Sequence, residues 1–270
     1  MDSYCYRSGY LWFICQSSKN SLNIIKHKTW NKHKLIIVLC YVLYAICIMS
    51  KVIVDIETIG FDFNSFDEKN QEYLLKFAET EEEKENVKNR LALYPLTGEI
   101  VAIGMLNPET LKGSMLFQDN NSQTEKFEED GMVYESGTEK EILEKFWDRV
   151  KNFHQVVTFN GRGFDVPYLM LRSALNKIRP TRNLMGYRYD SKDHCDLLEQ
   201  LTFYGAVRKF NLDFYAKSFG IKSSKDGGID GSMVGDLYKQ EKYLDIARYC
   251  ARDLVTTKEL FDYWEKYLKF

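Results

Sequence analysis

Two carboxylates close an apolar, strand-forming run in this chain. Lys51-Val52-Ile53-Val54 leads directly into Asp55-Ile56-Glu57-Thr58. The β-branched residues predict a buried strand over residues 51–57, and alternation along an extended chain places Asp55 and Glu57 on one face. Burying two like charges side by side is costly unless a positive charge lies between them. The sequence therefore predicts a divalent cation beside this strand.

The chain is long enough to bury one sizeable core. It has 270 residues and a formal net charge of −2. Residues 1–50 contain only one of the 39 acids but six of the 37 Lys and Arg residues, so the remainder is net negative. A nucleic-acid-binding function would therefore require basic residues that are concentrated locally.

Cysteine and histidine usage argues against a zinc site. The six cysteines include no CxxC pair, and the four histidines are scattered. Both observations are atypical of zinc-binding proteins. We expect reduced thiols and a cytoplasmic protein.

The first fifty residues have no pattern typical of a domain. Residues 35–49 form an apolar run that follows a basic stretch. As a helix this run would extend about 22 Å, which is short against a hydrocarbon core of about 30 Å. We interpret residues 1–48 as an extension outside the fold, with Met49 as the true start. A weak membrane anchor through residues 35–49 is the main alternative.

The remainder predicts one α/β domain with a mixed central sheet flanked by helices. Strands are predicted over 51–57, 99–106, 114–117 and 156–159. Helices are predicted over 67–90, 139–152, from 166, and over 195–204, 211–219, 232–240 and 242–267. Thr138 and Glu141 predict a capping box that opens the helix over 139–152. Strands first, then strand–helix alternation, then helices favour a single domain over residues 49–270.

A second acidic segment follows the predicted strand at 156–159. Asn160-Gly161-Arg162-Gly163-Phe164-Asp165 superficially resembles a dinucleotide fingerprint, but Val166 replaces the third glycine and Asp165 would repel a pyrophosphate. No organic cofactor is expected. Asp165 is either a third acid at a strand–helix junction or a helix N-cap.

A third acidic segment lies in the long C-terminal helix. Tyr249 and Asp253 are four residues apart and therefore share one face of that helix. Asp253 is either an acid beside the apolar face, where a metal would stabilise it, or a surface residue.

These segments, D-x-E-T, N-x-x-x-F-D and Y-x-x-x-D in this order, resemble the three exonuclease motifs of the DEDD superfamily. They are most similar to the proofreading domain of family B DNA polymerases, and closer still to free-standing predicted 3′–5′ exonucleases related to that domain. The resemblance includes residues 95–104, 194–197 and 225–234 and covers residues 50–268. It implies an RNase H-like fold with a mixed five-stranded sheet flanked by helices.

The resemblance also implies site residues. Asp55, Glu57, Asp165 and Asp253 would be ligands of two Mg²⁺ or Mn²⁺ ions. Tyr249 would be the tyrosine of the DEDDy subclass, since the histidine of the other subclass would fall at position 248, where this chain has Arg. In a two-metal site one ion activates the attacking water and the other stabilises the leaving 3′ oxygen, while Tyr249 would orient the water.

Substrate contacts are predicted at four further residues. The resemblance places Thr58 and Asn160 near the terminal nucleotide, and Phe164 is expected either under a base or in the core. Arg162 begins a basic stretch, residues 162–192, in which tyrosines are interleaved. That composition predicts either a single-strand channel or a solvated basic face.

The predicted function is a metal-dependent 3′–5′ exonuclease that acts on single-stranded DNA 3′ ends and releases 5′-mononucleotides. An exoribonuclease is one alternative, because the four acids and the tyrosine do not discriminate between the two sugars. A non-catalytic nucleic-acid-binding module of the same fold is the other. The sequence does not identify protein partners.

Overall fold

The computed structural model describes residues 50–120 and 124–269. In this part of the chain the strands are β1 (Lys51–Gly60), β2 (Gly98–Leu106), β3 (Gly113–Gln118), β4 (Phe127–Glu129), β5 (Met132–Gly137), β6 (Gln155–Thr158) and β7 (His194–Asp196). The α-helices are α1 (Glu68–Leu75), α2 (Glu81–Asn89), α3 (Glu139–Val150), α4 (Asp165–Leu175), α5 (Leu197–Leu201), α6 (Leu212–Ser218), α7 (Val234–Lys239) and α8 (Tyr243–Tyr267).

The predictions for residues 1–48 and for the apolar run 35–49 lie outside the described residues. Within the two described ranges, no helix combines the length and the apolar character that crossing a membrane requires.

The strands form one mixed sheet in the order β4-β5-β3-β2-β1-β6-β7. β1 pairs antiparallel with β2 and parallel with β6, and β6 pairs parallel with β7. The sheet has two strands more than the five expected, because β5 joins the edge of β3 and β4 joins β5. β1 therefore lies well inside the sheet, with neighbours on both sides.

Each face of β1 belongs to a different apolar layer. Val52 and Val54 pack with Ile142, Phe146 and Trp147 of α3. Ile53 belongs to the layer formed with α8, which includes Leu254 and Phe261. Since side chains alternate along a strand, Asp55 and Glu57 follow Ile53 onto the α8 side. The pairing register with β2 shifts only after Glu57.

The helix starts confirm the predicted capping box at Thr138 and correct the single helix predicted over 67–90. The box predicted at Thr138 and Glu141 opens α3, with both reciprocal hydrogen bonds present. A single helix over 67–90 is wrong, because Thr80 and Glu83 form a second capping box that starts α2 separately from α1. Strands β4, β5 and β7 were missed. β4 and β7 have only three residues each, and so short a segment shows no periodicity.

Candidate active site

Three segments bring acidic side chains to one region beside the sheet. β1 supplies Asp55 and Glu57, the start of α4 supplies Asp165, and α8 supplies Asp253. Asp165 accepts a hydrogen bond from the backbone N–H of Ile56, which ties it to β1 between the two motif acids. Asp55 and Asp253 line a common cavity of about 190 Å³. The four predicted ligands therefore form one cluster.

The four carboxylates disfavour one another's ionised forms. Burial raises the pKa of Asp55, and the charges of Asp253, Asp165 and Glu57 raise it further. Burial, followed by repulsion from Asp253 and Asp165, raises the pKa of Glu57 in the same way. Burial raises the pKa of Asp165 to about 7. Burial and mutual repulsion therefore both favour the neutral forms of these carboxyl groups.

Asp253 differs from the other three because it has more polar partners. Burial raises its pKa, but hydrogen bonds from Ser224 and Tyr249 and the charges of Arg252 and Lys225 oppose the rise. The donor set as a whole consists of carboxylate oxygens, which hard divalent cations prefer. The residues present therefore fit a divalent metal centre.

Tyr249 is a hydrogen-bond donor in this arrangement. Its side chain is only 5% exposed and packs in the α8 layer. Burial, and then the charge of Asp253, raise the pKa of its phenol. The phenol consequently stays neutral and donates to Asp253.

Cys250 was not predicted as a site residue, yet its thiol touches the cluster. Its Sγ lies 3.4 Å from Asp55 Oδ2, and ligand atoms of Asp55, Glu57 and Cys250 all lie within 4.8 Å of one another. Burial, and then the charge of Asp55, raise the pKa of this thiol. A neutral thiol is a weak ligand for a hard cation, so Cys250 acts as a hydrogen-bond donor to Asp55.

Gly104 permits the close approach of α8 to the sheet. It pairs with Asp55 across β1 and β2. A Cβ at position 104 would lie 2.6 Å from Leu254 Cδ1 and 3.0 Å from Cys250 Sγ. A larger residue would displace the side chains of Leu254 and Cys250, and with the latter its hydrogen bond to Asp55.

The turn that carries Asp165 is fixed by Asp196. The backbone N–H groups of Asn160 and Arg162 donate to the Asp196 carboxylate at 3.0 and 2.9 Å. Asn160 has a φ of 62°. A Cβ on Gly161 would lie 2.1 Å from Thr158 Oγ1. Asp196 was not predicted in this role, because the role depends on the pairing of β7 beside β6.

The predicted substrate-contact residues have partners within the protein. The Thr58 hydroxyl donates to the carbonyl of Ala92 at 2.7 Å. Phe164 is half-buried, and its ring centroid lies 5.3 Å from that of Tyr168. Arg162 forms an ion pair with Glu199 at 3.4 Å. Four residues that the sequence analysis did not single out, Asn211, Asp213, Ser224 and Lys225, line the cavity instead.

Comparisons with known proteins agree on one family. A profile of the family described as predicted 3′–5′ exonucleases related to the exonuclease domain of PolB matches residues 112–265. This range includes Asp165, Tyr249 and Asp253 and begins after Asp55 and Glu57.

Two curated DNA polymerases are similar in sequence. The DNA polymerase of Red sea bream iridovirus is 25% identical over 158 residues, which is 50% of this chain and 16% of that protein. DNA polymerase 1 of Saccharolobus solfataricus is 28% identical over 134 residues, or 44% of this chain and 15% of that protein. The matches thus span less than a fifth of either polymerase.

The fold also resembles part of a solved polymerase. The family B DNA polymerase of Pyrobaculum calidifontis matches with a TM-score of 0.51 and 18% identity, covering 80% of this chain and 24% of that one. This likeness, with the mixed sheet between helices, confirms the RNase H-like α/β fold. Because the profile matches more than half of the chain, the chain belongs to the family of predicted 3′–5′ exonucleases related to the exonuclease domain of PolB.

Proposed function

We propose that this chain is a metal-dependent 3′–5′ exonuclease that hydrolyses the last phosphodiester bond of single-stranded DNA and releases 5′-mononucleotides. The observation that carries the proposal is that three segments bring four neighbouring carboxylates together, those of Asp55, Glu57, Asp165 and Asp253. Family membership supports the reaction class. The similar sequences from DNA polymerases support DNA as the substrate.

The four carboxylates would hold two Mg²⁺ or Mn²⁺ ions, and Asp55 adjoins the other three acids. When bound, the ions supply Lewis-acid activation of the attacking water and charge stabilisation of the leaving 3′ oxygen. The Cys250 thiol orients the Asp55 carboxylate through its hydrogen bond.

Two further side chains act on the substrate in this proposal. Tyr249 donates its O–H to Asp253 as a neutral phenol, so its oxygen orients the attacking water by accepting a hydrogen bond from it, without removing its proton. Lys225 lines the cavity and supplies positive charge to the scissile phosphate. No other Lys or Arg among the described residues that line this cavity provides such a charge.

The residues around the terminal nucleotide act through the loops they hold. Thr58 anchors the segment at Ala92, and Asn160 shapes the turn before Asp165. Phe164 follows that turn, and Arg162, which lies within it, forms an ion pair with Glu199. We propose that all four position the terminal nucleotide.

The test uses the full chain and 5′-labelled single-stranded DNA and RNA of one sequence, with Mg²⁺, with Mn²⁺ or with chelator. We expect a ladder that shortens from the 3′ end of DNA only when metal is present. Asp55→Ala and Asp165→Asn should each lower the rate at least about 100-fold, since loss even of residues that only support metal ligands costs 10–100-fold.

Asp262→Asn is the matched control, because Asp262 is an α8 acid that pairs with Lys258 and is half-exposed. Degradation in chelator, or full activity of Asp55→Ala, would overturn the proposal. Faster cleavage of RNA would replace DNA with RNA as the substrate.

A further inference from the structure

Three tyrosine rings form a cluster at the surface, in which two rings are exposed and the third, that of Tyr204, is half-buried. The centroids of Tyr187 and Tyr189 are 5.6 Å apart, and those of Tyr189 and Tyr204 are 4.8 Å apart. Tyr187 is 74% exposed and Tyr189 is 58% exposed. We call these three residues the tyrosine cluster. Contiguous exposed aromatic surface of this kind is typical of binding sites.

The cluster is held by an unusual turn. Phe203 and Tyr204 have φ values of 49° and 58°. Bulky residues rarely adopt this left-handed conformation, which tends to persist where the surroundings enforce it. Here Gln200 Nε2 donates to the Tyr204 hydroxyl at 2.8 Å, and the Tyr204 N–H donates to the Glu199 carbonyl at 2.7 Å. The Tyr204 ring is therefore fixed in position.

A charged support connects the cluster to the proposed active site. The Glu199 carboxylate is 6% exposed and pairs with Arg162 at 3.4 Å and with Arg188 at 2.8 Å. Arg162 also donates to the carbonyls of Gly186 and Tyr187 at 2.7 and 3.1 Å. Two guanidinium groups and one carboxylate leave this support with a net positive charge. Arg162 lies only three residues before Asp165 in the chain.

We propose that the tyrosine cluster stacks unpaired bases of the substrate strand on the 5′ side of its terminal nucleotide. Every base has a π-face, so stacking on aromatic rings holds a strand without selecting its sequence. The net positive support favours the phosphodiester backbone that accompanies those bases. The inference rests on the proposed function, because that function defines which end of the strand occupies the carboxylate cluster.

The test measures equilibrium binding by fluorescence anisotropy, with 5′-labelled oligo-dT of 3 and of 12 nucleotides. All proteins are full chains that carry Asp55→Asn, so that the probe is not degraded. Tyr187→Ala and Tyr189→Ala should each weaken binding of the 12-mer at least about fivefold, in line with measured base–aromatic stacking. Binding of the 3-mer, which offers only two bases beyond the terminal nucleotide, should change less than twofold.

Two controls separate stacking from general damage. Tyr187→Phe keeps the ring and should bind the 12-mer like its parent. Tyr73→Ala removes a ring that is equally exposed, at 75%, but lies on α1, and it should have no effect. Equal weakening of both probes, no weakening of either, or no binding of the 12-mer by the parent would overturn the inference. Failure of the exonuclease proposal would be seen separately, as absence of metal-dependent shortening by the unmodified chain.

Discussion

The guanidinium group of Arg252 occupies the space that any side chain on Gly227 would need. A Cβ at position 227 would lie 2.9 Å from both Nε and Cζ of Arg252. Arg252 precedes Asp253 on α8, and its Nε donates to the Ser224 carbonyl at 3.2 Å. This contact packs the short 3-10 helix Ser224–Gly227, which includes Lys225, against the proposed active site.

Gly227→Ala should therefore lower turnover by about tenfold, because the guanidinium must move and its hydrogen bond to Ser224 is lost. Arg252→Ala should have a similar effect. In the double variant, Gly227→Ala should add less than a twofold loss, since the clash is gone. Steady-state kcat and KM for all four proteins check this, with Gly235→Ala as control because its added Cβ meets nothing within 4 Å. Independent, multiplicative losses would show that the two positions do not act together.

Local patterns predicted the part of the site that lies on regular elements. Asp55 and Glu57 lie on one face because β1 stays regular until the register shift after Glu57. Tyr249 and Asp253 are in contact because α8 continues unbroken through both. The capping signal at Thr138 was recognised, but the same signal at Thr80 was overlooked within an acidic run.

Residues that depend on tertiary packing were not predictable in this way. Cys250 reaches Asp55 only because Gly104 lets α8 approach β2. Lys225 reaches the cavity through an irregular segment that Arg252 holds. Arg162 and Arg172 belong to the basic stretch for which a single-strand channel or a solvated face was predicted. Each pairs with a buried glutamate, Glu199 and Glu139 respectively.

Removing the charge of Asp165 should stabilise the metal-free chain at alkaline pH. Burial raises the pKa of this group from 3.8 to about 7 in the folded state. The folded chain therefore binds the proton of this carboxyl group more tightly than the unfolded chain does. The protonated group stabilises the fold at low pH, and this stabilisation is lost as the pH rises through 7. In chelator at pH 8, Asp165→Asn should melt several degrees higher than its parent, and the gap should narrow by pH 5.

Thermal melts over this pH range also report on the metal. Mg²⁺ should raise the melting temperature of the parent more than that of Asp165→Asn, because binding to the folded state adds stability by mass action. His194, which burial keeps neutral by lowering its pKa to about 4, is present in both proteins and cancels in the difference. A gap that is independent of pH would contradict the raised pKa of Asp165.

Gly161→Ala should disrupt the turn that presents Asp165. The new Cβ would lie 2.1 Å from Thr158 Oγ1 and 2.5 Å from Thr158 Cβ. Thr158 is fully buried, and its hydroxyl is hydrogen-bonded to His194 Nε2 at 2.8 Å, so this side chain has no room to move. We expect a loss of about 2 kcal/mol in unfolding free energy, as for other overpacked sites, together with reduced activity. Gly163→Ala in the same turn meets only the flexible end of Asn160, and urea unfolding should show a smaller loss.

The ion pair between Glu139 and Arg172 should contribute to stability because both partners are buried. The Glu139 carboxylate accepts hydrogen bonds from Arg172 Nε and Nη2 at 2.8 and 2.6 Å. It also accepts one from the backbone N–H of Ile100 at 2.9 Å. Glu139→Ala leaves the guanidinium and this N–H without their acceptor, so it should cost about 3–5 kcal/mol in urea unfolding. Glu144→Ala breaks the exposed pair with Lys140 on the same helix and should cost less than about 0.5 kcal/mol. Similar losses for the two variants would mean that the buried pair merely offsets its own desolvation, and that α3 and α4 are held together by their apolar contacts alone.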